Sequence, residues 1–427
     1  MFTWVQGVLL LFQSVSSFIV GYLLILTGAA QFAKRRTPAQ FREPVHRFLV
    51  LIPAHNEEKL LPNTLKNLKQ LDYPESLYSI HVIADNCTDN TSDVARSGGA
   101  TVHERKNDAL LGKGYALQWA LERLWAADEP HDAVLILDAD STISPNFLSV
   151  MDARLGQGER VIQAYYTVGN MGQSRGVDIR YAALAAVHFL RPQGRMALGG
   201  SAGLKGNGMV FAADILKQHK WSESLTEDIE LHMSLILDGE RVMFAPDAVV
   251  QAEMPESLAG SYTQNVRWER GRMQALRHYT PLLLKRAWSS RSESGNRRSF
   301  LFFDAAMEHI IPPFSLFAAW TALTLLAVIG LPGGKSNIGG RNQEPVRPMN
   351  SEKKPHRLKS VNVLLGGGLL LGQLIYMFGA LRAVQAPRRI YQSLAYTPIF
   401  VVWKIWLYIR VLLGLDKQGW VRTKRND

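Results

Sequence analysis
Residues 133–141 read AVLILDADS. Five mostly large apolar residues run into two carboxylates, Asp138 and Asp140, one residue apart. An unbroken apolar run of this length predicts a strand buried on both faces, as in a parallel sheet. Alternate side chains of a strand share a face, and where the chain turns at the strand's end the two acids can converge on one point. In open α/β sheets ligands bind beyond the carboxyl ends of the strands, so the pair stands where a ligand would be rather than where a core would be. Two converging carboxylates repel unless a cation lies between them. Mg²⁺ or Mn²⁺ suits such a pair, because it accepts one or two carboxylates and fills its shell with water and phosphate oxygens. Two acids capping a turn are the plainer alternative, and the pair alone does not choose between them.

The pattern repeats on either side. HRFLVLIPA (46–54) and SIHVIADN (79–86) predict two more buried strands, the second again ending in an acid, Asp85. EEKLLPNTLKNLKQL (57–71), residues 88–97 and GKGYALQWALERLWAA (112–127) predict helices between them. Strand–helix alternation implies an α/β domain with a mainly parallel sheet and helices on both faces. Its composition extends over residues 41–300, and the polar, Ser-rich residues 286–298 read as a link to the C-terminal region. No internal repeat is evident.

The ends differ from the middle. The chain has 427 residues, 47% of them hydrophobic, and the first thirty carry no charge. That stretch is long enough to cross a bilayer and lacks the basic start of a signal peptide, so residues 1–33 read as a membrane anchor. In the C-terminal region, 301–427, residues 310–331 and 361–381 read as further spans. Residues 394–415 contain Lys404 and Arg410 among aromatics and read as a span or, better, as an interfacial helix with snorkelling bases. The net charge of +11 fits a membrane surface better than nucleic acid. Lys34, Arg35, Arg36, Arg42 and Arg47 follow the first span and place the middle domain in the cytoplasm. The basic loop 333–360 opposes that rule, since a simple count of spans puts it outside. The single cysteine, Cys87, excludes an internal disulfide and a Cys-based metal site. No H-E-x-x-H or G-x-S-x-G pattern occurs, and GGSAGLKGNG (199–208) lacks both the P-loop and the dinucleotide spacing; it implies at most a close backbone approach to a ligand, with a plain turn the alternative.

LIPAHNEE (51–58), VIADNCTDNT (82–91), GKGYAL (112–117), LDADS (137–141), TED (226–228) and QNVRW (264–268) stand in one order. In that order the chain resembles the family 2 glycosyltransferases, inverting membrane-bound enzymes that include cellulose, chitin and hyaluronan synthases. The likeness covers about residues 49–272 and departs from the family at Ala84, where many members carry an acid. It implies a GT-A nucleotide-diphospho-sugar transferase domain, Rossmann-like, flanked by transmembrane helices of the plasma membrane. By the resemblance, Asp85 accepts a hydrogen bond from a uracil ring, and Pro53, Ala54 and Glu57 line the nucleoside pocket. Lys113 meets phosphate, while Asp138 and Asp140 hold Mg²⁺ or Mn²⁺, Asp138 also touching the donor. Asp228 is the catalytic base. Glu227, Gln264, Arg267 and Trp268 serve the acceptor and the departing diphosphate. A capping box from Ser224 to Glu227 explains the TED acids without catalysis. The expected partners are a UDP-sugar, a growing glycan or lipid-linked acceptor and membrane lipids, with export subunits open and no nucleic acid. The expected activity extends a polysaccharide; transfer of one sugar to a lipid carrier is the alternative, and a non-catalytic sugar-nucleotide scaffold a third. Residues 419–425 are read as a gating segment.

Overall fold
A computed structural model describes residues 2–33, 43–221, 226–257, 260–293, 296–330 and 353–415. Helix α1 (Phe2–Phe32) leads into an α/β domain. There β1 (Phe48–Ala54), α2 (Leu61–Leu68), β2 (Tyr78–Asp85), α3 (Thr91–Ser97), β3 (Thr101–Arg105), α4 (Lys113–Ala126) and β4 (Ala133–Ile136) alternate. Then come β5 (Ser141–Ile143), α5 (Phe147–Leu155), β6 (Val161–Val168), α6 (Arg175–Leu184), α7 (Arg191–Ala197), β7 (Met209–Ala212), α8 (Ala213–Gln218), α9 (Glu227–Leu237) and β8 (Met243–Ala252). The helices α10 (Tyr262–Glu293), α11 (Asn296–Ile310), α12 (Phe314–Gly330), α13 (Lys353–Ala383), α14 (Arg388–Ser393) and α15 (Thr397–Leu412) complete the described chain.

The strands form one eight-stranded sheet in the order β3-β2-β1-β4-β7-β6-β8-β5. The first four are parallel, as the alternation predicts. The rest is mixed: β6 and β8 are parallel, but β7 runs antiparallel to both β4 and β6, and β5 antiparallel to β8, so the sheet is mainly but not wholly parallel. Hydrophobicity records that a strand is covered on both faces, not which way its neighbour runs, which is why the second half was not foreseen. Phe48, Val50 and Ile52 of β1 point into one core with α1 and α2, and Leu49 and Leu51 into the other with α4 and Trp221, the period-2 split of a strand. The strand predicted over 133–140 ends at Ile136. Asp138 and Asp140 therefore lie in the loop joining β4 to β5. The helices predicted from residues 57 and 88 begin later, at Leu61 and Thr91.

The first core is shared with the apolar helices, since Leu23 and Leu26 of α1 and Tyr376 of α13 belong to it. Small residues let these helices approach. A Cβ at Gly372 would lie 2.5 Å from Val20 Cγ1, one at Gly379 2.7 Å from Thr27 Cγ2, and one at Gly194 of α7 2.4 Å from the Leu26 carbonyl oxygen. Among the described residues three helices are long and apolar enough to cross a membrane, Trp4–Phe32, Leu358–Ala383 and Arg388–Leu412, and a fourth if Arg297–Ile310 and Phe314–Gly330, bent by 71°, form one broken span. The expected span 310–331 is thus interrupted at its start. Residues 286–298, expected as a link, are helical apart from the undescribed pair 294–295. Most of the basic loop 333–360, Ser224 and residues 419–425 lie outside the described residues, and the end of that loop, from Lys353, already belongs to α13.

Candidate active site
Four chain segments meet beyond the carboxyl ends of β1, β2 and β4. The first is the end of β1 and its loop. Pro53 and Ala54 pair in register with Ile83 and Ala84 of β2, so the expected nucleoside-pocket residues border Asp85. Glu57 is buried, its N–H donating to Thr91 Oγ1 at 2.8 Å. Asn56 and Asn86 both adopt left-handed backbone, φ 56° and 52°, a region that asparagine tolerates better than most residues. Asn86 uses that turn to bind a second loop: its Oδ1 accepts from Asn107 N–H at 2.7 Å and its Nδ2 donates to Asn107 O at 3.1 Å. The A-D-N-C variation of the motif is therefore built into the turn, with Ala84 buried where an acid is absent.

The second segment is β3. Arg105 lies in register with Asp85, and its Nη1 donates to Asp85 Oδ1 at 2.5 Å while Nη2 donates to Leu110 O at 2.8 Å. Burial pushes the Asp85 carboxyl up and the Arg105 guanidinium pulls it back. Arg105 was missed in the sequence. Its signal is only positional, a base ending the strand next to the one that ends in Asp85.

The third is the acidic loop after β4. Asp138 N–H donates to Asn207 Oδ1 at 3.1 Å, and Asn207 Nδ2 donates to Ser141 Oγ at 2.8 Å. Asn207 belongs to the glycine-rich segment 199–208. Lys113 opens α4 and its ammonium bridges the same two loops, donating to Asp138 Oδ1 and to Gly206 O, each at 2.5 Å. Burial alone would lower the Lys113 ammonium; the charges of Asp138, Glu227 and Asp228 outweigh it and leave it above the ordinary lysine value.

The glycine-rich segment was expected to approach a ligand closely; at Gly200 and Gly203 the close approach is to protein carboxylates instead. A Cβ at Gly200 would fall 2.3 Å from Asp304 Oδ2 and one at Gly203 2.9 Å from Glu308 Oε2. Asp304 takes Arg195 Nε at 2.8 Å and Tyr22 of α1 at 2.5 Å. Glu308 takes Lys205 at 2.6 Å. The loop is thereby fixed to α11 and α1.

The fourth segment joins α9 and α10. Glu227 and Asp228 occupy the first turn of α9, where the helix dipole favours anions, and Asp228 Oδ1 accepts from Ile229 N–H at 2.9 Å. Asp228 faces the glycine-rich loop: its Oδ2 lies 3.3 Å from where a Cβ on Gly206 would be. Burial and then the Asp228 charge push Glu227 up to about 7, against Lys113 and Arg267. Burial raises Asp228 too, opposed chiefly by Lys113. On α10, Gln264 and Arg267 are half-buried and Trp268 is 40% exposed. Gly271 of the same helix lies against Thr226, the residue before the two acids. Lys113, Asp138, the Gly206 turn and Asp228 are thus brought together, with Arg267 close enough to act on Glu227.

The donor set can be tested for a divalent ion. Asp138 already draws a cationic side chain, so the loop is a place where carboxylate oxygens attract positive charge. Among the described residues no group of three His, Cys, Asp or Glu side chains lies close enough to hold an ion alone. An ion held by Asp138 and Asp140 would therefore have to take its remaining oxygens from a diphosphate and water.

This mixed sheet, with its acidic loop after the fourth strand, is the GT-A fold of glycosyltransferases. Residues 46–271 match the model described as "Glycosyltransferase like family 2", and the chain belongs to that family. It is 28% identical over 291 residues to a beta-monoglucosyldiacylglycerol synthase of Nostoc sp., covering 65% of this chain and 60% of the relative. It is 24% identical over 233 residues to a poly-beta-1,6-N-acetyl-D-glucosamine synthase of Staphylococcus epidermidis, covering 53% and 54%. The chain therefore matches less than two thirds of the length of these relatives. A solved mannosyltransferase of Pyrobaculum calidifontis, in complex with GDP-Man and Mn²⁺, shares the fold with a TM-score of 0.53 at 15% identity, covering 89% of this chain and 97% of that one.

Proposed function
We propose that the protein transfers a sugar from a UDP-sugar to a hydroxyl of a lipid acceptor at the inner face of the cell membrane, inverting the anomeric centre. One observation carries the reading: a half-buried carboxylate, Asp228, faces the Gly206 turn whose carbonyl holds Lys113 on Asp138. A base thus stands beside the expected diphosphate position. Asp85 accepts from the base ring, with Pro53, Ala54 and Glu57 around it. Lys113 and Arg267 offset the charge of the diphosphate, Arg267 suiting bidentate phosphate contacts. Asp138 and Asp140 would hold Mg²⁺ or Mn²⁺, which when bound supplies further positive charge to the diphosphate. Asp228 takes the acceptor proton as the hydroxyl oxygen attacks the anomeric carbon from the face opposite the nucleotide, and the breaking C–O bond leaves its electron pair on the diphosphate. Trp268 offers an aromatic face to a sugar or acyl chain, and Gln264 and Glu227 border the same side.

The lipid acceptor is supported by the name of the Nostoc relative and by the packing of α10, which bears Arg267 and Trp268, directly on α11 and α15. Polymer extension by a synthase-type Q-x-x-R-W enzyme is the second reading, supported by QNVRW and by the Staphylococcus relative. Purified full-length enzyme is screened for UDP release with UDP-glucose, UDP-N-acetylglucosamine and UDP-glucuronic acid, with Mn²⁺ or Mg²⁺, and with diacylglycerol in mixed micelles; products are then weighed by mass spectrometry. A single-sugar glycolipid supports the first reading and a ladder the second. Asp228→Asn with undiminished UDP release refutes both.

A further inference from the structure
Helix α15 carries two bases on an apolar background, and both are engaged by α10. Lys404 is only 8% exposed. Its Nζ donates to Asn265 Oδ1 at 2.6 Å and to Glu269 Oε1 at 3.0 Å. Tyr408, one turn further on, donates its hydroxyl to the other Glu269 oxygen. Arg272 closes the group, with Nε 3.2 Å from Glu269 Oε2, Nη1 on Ile311 O at 3.0 Å and Nη2 on the Tyr408 hydroxyl. Arg410 Nε donates to Tyr262 OH at 2.8 Å. Val266, Leu407 and Val411 fill the space between as a small buried cluster. These contacts hold both bases on α10: Lys404 is buried there rather than snorkelling, while Arg410 stays half-buried.

The α10 partners, at 262, 265, 266, 269 and 272, recur every three or four residues, so they form one helix face. The same three turns carry Arg267 and Trp268, and Gly271 presses on Thr226. The start of α10 is therefore clamped between α15 and the turn that bears Asp228. An apolar contact alone would tolerate a small slide or rotation of α10. A desolvated ion pair tolerates far less, because removing one partner strands a buried charge.

We propose that Lys404 is a positioning residue for the acceptor side of the site: its buried pair with Glu269 fixes the rotation and depth at which α10 presents Arg267 and Trp268. This rests on the transfer reading above for its kinetic consequence, not for its geometry. It also assigns α15 a place beside the site helix, since a Lys404 at mid-bilayer would carry Glu269 and Asn265 there with it.

The test uses the full chain in detergent, with Lys404→Met and the double variant Lys404→Met/Glu269→Gln, which removes both members of the pair and leaves Arg272 on the Ile311 carbonyl and the Tyr408 hydroxyl. UDP release is measured with saturating donor, with and without diacylglycerol micelles, and amide hydrogen exchange is followed by mass spectrometry. The expected result for Lys404→Met is exchange about tenfold faster confined to residues 262–273. Acceptor-stimulated release should fall 30-fold or more, while acceptor-independent release, which draws on Arg267 but not on Trp268, falls clearly less. The double variant should regain thermal stability without regaining the stimulated rate. Wild-type exchange in Lys404→Met, faster exchange spread over the whole chain, a parallel loss of both release rates, or a double variant that recovers the stimulated rate overturns the proposal. If wild-type enzyme releases no UDP from any donor, the transfer reading fails, and the exchange pattern still decides this one.

Discussion

Gly271→Ala should separate the two halves of the acceptor site by a measurable distance. A Cβ placed on Gly271 would lie 1.9 Å from Thr226 Cγ2, 2.6 Å from its Oγ1 and 2.7 Å from its Cβ. Rotation of Thr226 can withdraw the first two atoms but not the third. Ordinary contact begins at 3.4 Å, so α10 and the Thr226 turn must part by at least 3.4 − 2.7 = 0.7 Å. Alanine favours the helix over glycine by about 1 kcal/mol, whereas overpacking of this kind costs about 1–3 kcal/mol. The net loss is up to about 2 kcal/mol, a fall in melting temperature of several degrees. The kinetic effect should be larger than the thermal one. Asp228 stands two residues from Thr226, and Arg267 one helical turn from Gly271. A misplacement of about 1 Å can cost about 100-fold in rate, so kcat for UDP release should fall about 30- to 100-fold. Gly28→Ala is the matched control, since nothing lies within 4 Å of its Cβ position. Adding Thr226→Ser to Gly271→Ala removes Cγ2 but leaves Cβ, and should recover little. A Gly271→Ala enzyme that keeps more than half of the wild-type turnover would show that the contact between the two motifs is not what aligns them.

Three further outcomes rest on the same geometry. Arg105→Met should raise donor KM at least tenfold, with kcat less affected, because it frees both Asp85 and the Leu110 carbonyl; equal KM values by steady-state UDP release would remove the arginine from donor binding. Glu227 has a native pKa raised from the ordinary 4.5 to about 7, so the folded state binds more protons between those values and loses stability as pH rises through them; ligand-free Glu227→Gln should melt several degrees above wild type at pH 8 and level with it below pH 4.5, and a gap that widens on acidification would contradict the assignment. EDTA should abolish UDP release, Mn²⁺ or Mg²⁺ should restore it, and Asp140→Asn should raise the metal concentration giving half-maximal rate by about tenfold or more; chelator-resistant turnover would dismiss the ion.

Much of the fold could be read because burial leaves a mark on composition. The β1, β2 and β4 segments have to be apolar on both faces, and each therefore stood out as a run. The mixed half did not, since MVFA of β7 would read the same beside a neighbour of either direction. The stretch 133–140 was extended too far for a related reason: Leu137 and Ala139 are buried, yet they belong to the loop that turns the two acids out of the sheet. Helix breaks also lay beyond reach of composition. The 71° bend between α11 and α12 falls at Ile311-Pro312-Pro313, and a pair of prolines ends a helix without stating the angle at which the next one starts.

The site was legible where chemistry requires a residue type and illegible where only placement matters. Acids at strand ends and a base-aromatic pair in QNVRW carry their own signal. Arg105 does not, because any base on β3 looks like a solvated surface charge until the register sets it against Asp85. Lys404 and Glu269 are a stronger case. Each alone looks like a polar interruption, one in an apolar helix and one in a basic helix, and 135 residues separate them in the chain. Only packing makes them a pair, and once paired they alter what the C-terminal helix is for. A lysine facing headgroups anchors a helix and could be exchanged for arginine freely, whereas a lysine desolvated against one carboxylate and one asparagine oxygen has a length and a donor count to satisfy. Lys404→Arg should therefore lower acceptor-stimulated release despite keeping the charge, an outcome that an anchoring role does not predict.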